Sequence, residues 1–393
     1  MSALERAANE VAAHRSILVA LSHFVHANPE LGYEEFKSSA AVATCLEEAG
    51  FTVERGIADL ETAFRATVGT GSFHVVFCCE FDALPDVGHA CGHNIIAAAS
   101  VGAGIGLVPL VDELDLTVTV LGTPSEEGGG GKIDLINAGY FDGVHAALMV
   151  HPWPGDGPNG VFSDRDRGMC LAVDQFDVTF AGKEAHASAA PWEGVNALDA
   201  LTISQVAIGL LRQQLPPGDQ VHLIVTDGGT AANIIPHHIV ARVMVRSVTV
   251  DRLQVLRERV NHCFEAGALA TGATMNMDLI GHTFSHMETD NDLARLYRTA
   301  AEGLGRGFSL DDEGAPLPTF STDMANVSLV VPAIHPLLGL PTHGAVNHQP
   351  EFTAACITAE ADQAMIEGAT ALAQTVVLAA QDPALVARLK ARA

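Results

Sequence analysis

Positive charge is scarce in this sequence: 21 lysines and arginines face 47 aspartates and glutamates, a formal net charge of −26. A surface of that sign repels phosphate backbones, which excludes nucleic acid as the main partner and disfavours anionic membranes for the same reason. Long apolar runs are also missing. None reaches the roughly 18 to 20 residues of a membrane-spanning helix, so no membrane is expected. Aromatics make up only 5 %, leaving few stacking residues from which to read an aromatic binding pocket. Seven cysteines in 393 residues are few, odd in number and without the spacing of a disulfide scaffold, so free thiols in a reducing compartment are expected. The opening MSALERAANEVAAHR mixes Glu with Arg and lacks a basic-then-apolar signal layout, and a cytoplasmic location is expected. Internal repeats and low-complexity tracts are absent.

What is present is apolar. The chain is 48 % hydrophobic and 17 % charged, which excludes disorder as its overall state and allows two domains, or one large domain with an insertion. Residues 3–24 carry apolar positions at helical spacing, and 37–49 predict a second helix stopped by Gly50. Apolar runs of strand length follow at 74–79, 116–121, 146–150 and 327–331, with a small-residue apolar helix at 95–110. Strands alternating with helices predict an α/β fold with a mostly parallel, helix-covered sheet. Between them, 171–180, 239–245 and 274–279 alternate apolar and polar residues, and helical patterns occupy 197–213 and 251–268. That is the signature of an α+β module with a half-exposed antiparallel sheet. The expected domains are 1–170 and 284–393 as two parts of one catalytic domain, with 171–283 inserted.

Potential ligands follow the predicted strands. Glu80, Asp82 and HACGH (His89, Cys91, His93) come after the first, Glu126-Glu127 after the second and His151 directly after the third. Taken singly, each has an ordinary structural explanation: a core histidine, a solvated acidic turn, a small buried cysteine. Parallel strands, however, deliver their carboxyl ends to one crevice. Imidazole, thiolate and carboxylate together suit Zn²⁺, Mn²⁺ or a related divalent ion. The run GGGGK (128–132) is not a phosphate loop, because Glu126 and Ile133 stand where that motif needs Gly and Ser or Thr. Paired acids have a division of labour: one carboxylate binds metal while the other accepts a proton from the activated water. A GxSxG elbow for serine chemistry is lacking, as is a GxGxxG after the first strand.

With those residues in view, the chain resembles the M20 metallopeptidase/amidohydrolase family nearly end to end. HANPELGYEE (26–35), EFDALPDVGHACGHN (80–94), LGTPSEEGGGGK (121–132), MVHP (149–152), FAGKEAHASAAPWEGVNALDA (180–200), GGTAANIIP (228–236) and STDMANVS (321–328) match its blocks in order. The blocks are most similar to the cysteine-ligand subgroup, and within it to the branch of β-alanyl-lysine dipeptidase and the p-aminobenzoyl-glutamate hydrolase subunits. The resemblance implies a catalytic domain with an inserted lid, or dimerisation, domain, and a homodimer formed through that lid. It implies two divalent metal ions per subunit, Zn²⁺ or Mn²⁺ with Co²⁺ or Ni²⁺ as further options. Cys91, His93, Glu127 and His151 would be ligands, Cys91 bridging both metals. The last ligand would be His348 in NHQPEF, with His343 in PTHG as its competitor. Glu80 is left outside the ligand set, and Asp82 would orient ligands. Glu126 would be the general base, and His186 would polarise the scissile carbonyl, in its own subunit or across a dimer. Asn233 and Arg246 would bind substrate.

Two departures stand out: Asn94 replaces the subgroup's usual Asp, and HGAVNHQPEF is longer than the usual histidine segment. The implied reaction is hydrolysis of the amide or peptide bond of a small N-acyl amino acid or dipeptide, as in an aminoacylase or dipeptidase. A carboxypeptidase acting on longer peptides and a catalytically silent binding subunit are the alternatives.

Overall fold

The computed structural model describes residues 1–155, 170–308 and 319–392. Its strands, in chain order, are β1 (Thr52–Arg55), β2 (Phe64–Val68), β3 (Phe73–Cys79), β4 (Leu116–Gly122), β5 (Ala146–Leu148), β6 (His151–Pro154), β7 (Ala172–Ala181), β8 (Gln220–Asp227), β9 (His238–Ser247), β10 (Thr274–Leu279), β11 (Ala333–Ile334) and β12 (Leu337–Leu340). The chain divides into two compact units. One comprises Met1–Arg167, Met287–Pro318 and Thr322–Ala393, the other Gly168–His286 and Thr319–Ser321.

The first unit is built on a six-stranded sheet of order β1-β2-β4-β3-β5-β11. Its β4-β3-β5-β11 portion is parallel, and β1 and β2 add an antiparallel margin. The sequences of β3 (FHVVFCC) and β4 (LTVTVLG) are nearly all buried, as expected for strands covered on both faces. Every residue of the helix His93–Leu107 is buried, and it packs against the long helix Ala359–Ala380. Extended through the turn to Leu110 it forms an 18-residue apolar window, contrary to the expectation that no run is that long, and 89 % of that window lies inside the protein.

Two expectations about elements are corrected here. The helix drawn through 3–24 is two helices, Ala3–Ala13 and Arg15–Ala27, broken at His14. The apolar run 327–331, read as a strand, instead ends the helix Met324–Val330. Met324, Ala325, Val327 and Ser328 are buried there while Leu329 and Val330 are exposed, which is a helical period. The edge strand is the two-residue β11 just beyond.

The second unit is an antiparallel sheet of order β10-β7-β9-β8. Burial alternates along β7 and β9, and the inward residues, among them Phe176, Phe180, Val243 and Val245, meet Phe264 of the helix Val250–Thr271. That helix packs beside Ala197–Leu211, and Gly267 makes the approach possible: a Cβ there would lie 2.2 Å from the Ala200 carbonyl oxygen. β8 lies at the sheet edge, with Val221 buried, Leu223 packed against the core and the exposed residues concentrated from Ile224 to Thr226.

Candidate metal centre

In the first unit, the carboxyl ends of β3, β4 and β5 deliver their loops to one place. His93 opens its helix behind Gly92, whose φ of 78° is left-handed. His151 opens β6 and is held by its backbone N–H, which donates to the Pro336 carbonyl at 2.9 Å. Cys91 Sγ lies 3.4 Å from His151 Nε2 and 3.6 Å from His348 Nε2. His348 Nε2 is 3.7 Å from Glu127 Oε1.

Three trios result among the described residues, Cys91 with His93 and His151, Cys91 with Glu127 and His348, and Glu80 with His93 and Glu126; within each, the ligand atoms lie within 4.8 Å of one another. The thiol is common to the first two. These spacings fit a shared cation: donors at about 2.0 to 2.3 Å from a tetrahedral Zn²⁺ sit roughly 3.3 to 3.7 Å apart. His93 Nε2 and Glu127 Oε1 are buried with no hydrogen-bond partner, an arrangement that is costly unless a cation satisfies it.

Both buried imidazoles are prepared for that role. His93 Nδ1 faces Asp82 Oδ1 at 2.8 Å and the Asp82 carbonyl at 2.9 Å, and His151 Nδ1 faces the Pro152 carbonyl at 2.8 Å. With Nδ1–H donating, each Nε2 lone pair is free for a metal. Asp82 also accepts the Glu127 N–H at 3.0 Å through its other oxygen, so one carboxylate fixes both a ligand imidazole and the acidic turn.

Electrostatics follow from burial. Desolvation first, and then the charges of Glu80 and Glu127, push Glu126 well above the usual carboxylate range. Burial, and then the charge on His93, lowers His151 to about 4. Burial, and then Glu127, raises the Cys91 thiol. A divalent cation inverts this logic and favours the anionic carboxylates and thiolate.

Backbone conformation also marks the site. Ser125, His343 and His348 have φ of 59°, 51° and 69°, a region that non-glycine residues seldom occupy. The His348 N–H donates to the Ala90 carbonyl at 2.8 Å. His343 is exposed and belongs to none of the possible metal-holding clusters among the described residues.

Glu35, Lys132 and Asp323, given no role by the sequence reading, build the walls together with Gly129, one of the glycines expected to let the backbone pass close to the site. Glu35 is fully buried, accepts the Ser125 N–H and the Thr62 hydroxyl, both at 2.8 Å, and so clamps the turn that carries Glu126 and Glu127. Gly129 completes that turn, because a Cβ there would meet Ser125 Oγ at 2.1 Å and the Tyr33 ring at 2.4 Å. Lys132 is fully buried and its ammonium bridges Glu80 Oε1 and Asp323 Oδ1. The signals were in view: Glu35 ends HANPELGYEE, Lys132 ends GGGGK and Asp323 sits in STDMANVS.

The remaining predicted residues belong to the second unit. His186 is exposed and its Nδ1 accepts the N–H groups of Ser188 and Ala189, both at 3.2 Å. Nε2 is then the protonated nitrogen. Asn233 neighbours it through the Ala187 N–H, which donates to the Asn233 carbonyl at 3.0 Å. Arg246 lies apart on β9, its guanidinium donating to Ser321 Oγ at 2.7 Å. No carboxylate among the described residues pairs with it, and burial lowers its pKa.

Comparison with known proteins places these features in a family context. The sequence profile of "Peptidase family M20/M25/M40" matches residues 76–377. The Xaa-Arg dipeptidase of Mus musculus is 38 % identical over 97 % of this chain and 89 % of its own length. One of the p-aminobenzoyl-glutamate hydrolase subunits of Escherichia coli is 32 % identical over 63 % of this chain and 54 % of its own. Among solved structures, a dinuclear metal-binding peptidase of the M20 family from Bacillus subtilis superposes with a TM-score of 0.70 at 21 % identity, covering 93 % of this chain and 99 % of that one.

Proposed function

The chain belongs to peptidase family M20/M25/M40, and from that premise we propose that it is a metal-dependent hydrolase of dipeptides whose C-terminal residue is cationic. The coarser activity, hydrolysis of the amide bond of small acyl amino acids or dipeptides, is common to its relatives. The finer substrate class is supported by the Xaa-Arg dipeptidase relative and by the net charge of −26, which draws cationic substrates toward the protein.

The observation that carries the reading is the pair of trios sharing Cys91, with Glu126 beside them and part of neither. Zn²⁺ or Mn²⁺ bound by Cys91, His93, His151, Glu127 and His348 would polarise the scissile carbonyl and acidify the attacking water. Glu126, nearly buried and 3.9 Å from His93 Nε2, takes the proton from that water and returns it to the departing amine nitrogen. His186, with Nε2–H free to donate, stabilises the oxyanion. Arg246 offers a planar fork for the substrate carboxylate, and Asn233 offers an amide for its carbonyl.

Self-association is part of the proposal. On the helix Ala197–Leu211, Ile203, Val206 and Leu210 form an exposed apolar stripe, and Ile224 and Val225 are exposed on the edge strand β8. That strand carries neither Pro nor Lys to guard its unpaired backbone, so a second copy of this chain is the occupant we assign. All seven cysteines are free, which fits a cytoplasmic protein.

The test is amine release from Xaa-Arg, Xaa-Lys and Xaa-Leu dipeptides and N-acetyl amino acids, by protein loaded with Mn²⁺ or Zn²⁺ and by a chelated control. Metal-dependent cleavage with preference for the cationic dipeptides is the expected outcome. Equal rates on longer peptides would redirect the reading to a carboxypeptidase. Metal binding without any cleavage would make the protein a silent subunit.

A further inference from the structure

Glu126 stands at the head of a turn with little stiffness of its own. Gly128 to Gly131 follow it without a side chain among them, and glycine backbone is the most conformationally free. A carboxylate that must meet a particular proton cannot be placed by such a chain alone, so contacts from outside the turn have to place it.

One segment, residues 30–35, supplies them. It is anchored first: the Glu30 carboxylate accepts the N–H groups of Lys37 and Ser38 at 3.0 and 2.9 Å, in the first turn of the helix Phe36–Glu48. The Glu30 carbonyl accepts the Ala83 N–H at 2.8 Å, beside Asp82. From there the segment runs along the whole acidic turn. At the start of the turn, a Cβ on Gly32 would lie 2.2 Å from Ser125 Oγ, and Glu35 accepts the Ser125 N–H. In the middle, the Tyr33 ring covers Gly129. Past the end, the Tyr33 hydroxyl donates to Asp134 Oδ2 at 2.9 Å, on the helix Gly131–Asn137 that the turn leads into.

Tyr33 adopts a φ of 66° to make these contacts, a left-handed conformation that is strained for a bulky side chain. Stability gives little reason for that strain. The residue is 37 % exposed, and a hydrogen bond near solvent contributes little net stability. Resting on the general-base reading of Glu126 above, we infer that Tyr33 is a positioning residue. Its ring, across Gly129, and its hydroxyl, through Asp134, hold the four-glycine turn in the conformation that presents Glu126 to the water it deprotonates.

The experiment uses the full chain and two readouts. Hydrogen exchange of the metal-free protein follows the amides of residues 125–131, and kinetics of the Mn²⁺-loaded protein on Xaa-Arg dipeptides gives kcat and KM. Tyr33→Phe keeps the ring and removes the hydroxyl; Asp134→Ala removes the acceptor, and Asp134→Asn retains one. Tyr33→Phe and Asp134→Ala should each speed exchange in the turn and lower kcat by about tenfold to a hundredfold with KM unchanged. The double variant should be no worse than either single one, and Asp134→Asn should stay near wild type. Unchanged exchange in the turn overturns the inference, as does faster exchange with a wild-type kcat, which would leave Tyr33 a structural contact only. Should Tyr33→Phe fail to fold, the comparison of Asp134→Ala with Asp134→Asn decides. Absence of turnover by the wild-type chain overturns the general-base reading itself, before any variant is compared.

Discussion

The two units use polar side chains in opposite ways. In the first, the ionisable side chains of Glu80, Asp82, His93 and Glu126 are at most 6 % exposed. Their orientation is set by backbone and side-chain partners: Asp82 on His93, Glu35 on Ser125, Lys132 on Glu80. In the second, His186 and Asn233 are exposed on turns, while the interior, from Phe176 to Phe264, is apolar. The first unit therefore invests stability in a fixed charge arrangement whose value appears only when a cation is bound. The second keeps an inexpensive apolar core and leaves His186 and Asn233 exposed to solvent. Under the proposed function, preorganisation would belong to the groups that meet metal and adaptability to those that meet substrate.

The most damaging change by this contrast is Glu126→Gln. Turnover should fall by about 10²- to 10⁴-fold while metal content, measured by elemental analysis, stays at the wild-type level. Normal turnover would remove Glu126 from the mechanism. His186→Ala comes next, with kcat lower by roughly 10²- to 10³-fold and an unchanged melting temperature, because the ring is exposed and buries little. A large stability loss in that variant would break the contrast between the units. Arg246→Lys should raise KM about tenfold or more with a smaller effect on kcat, since an ammonium cannot form the paired contacts of the fork; a pure kcat effect would argue against carboxylate binding.

The smallest effect tests burial away from the ligands. Burial, and then the neighbouring His145, lowers His74 to about 4. An unfolded imidazole titrates near 6.5, so between about 6.5 and 4 the unfolded chain binds the extra proton and stability falls as pH falls. Urea midpoints across that range should decline less steeply in His74→Asn. An identical pH slope would mean that the ring is not held neutral in the folded state.

Much of the fold was legible because β3, β4 and β5 are continuous apolar runs, and because in a parallel sheet the residues just past such runs share one crevice. Glu80, Asp82, His89, Cys91, His93, Glu126, Glu127 and His151 could be grouped for that reason, whereas the choice of ligands among them came from the family resemblance. The edge was harder to read. The run 327–331 is too short for its period to separate strand from helix, and in β8 only Val221 is buried, so its alternation is too brief to mark a strand. The supporting residues were hidden for a different reason. Lys132 meets Asp323 across 191 positions, and Glu35 meets Ser125 across 90. Local spacing carries no trace of such pairings, and a lysine ending a glycine run invites comparison with a phosphate loop rather than with a buried ion pair.

The helix His93–Leu107 begins at a site histidine and continues, entirely buried, through the core. That placement ties the lifetime of the site to the lifetime of the fold. His93 cannot swing away by loop opening, so its helix amides should exchange with deuterium only through large-scale unfolding of the first unit. A cation bound at that imidazole then lengthens the protection of residues at the far end of the helix, near Leu107, by the mass-action term for its occupancy. Metal loading would be readable in amides more than two helical turns from any ligand.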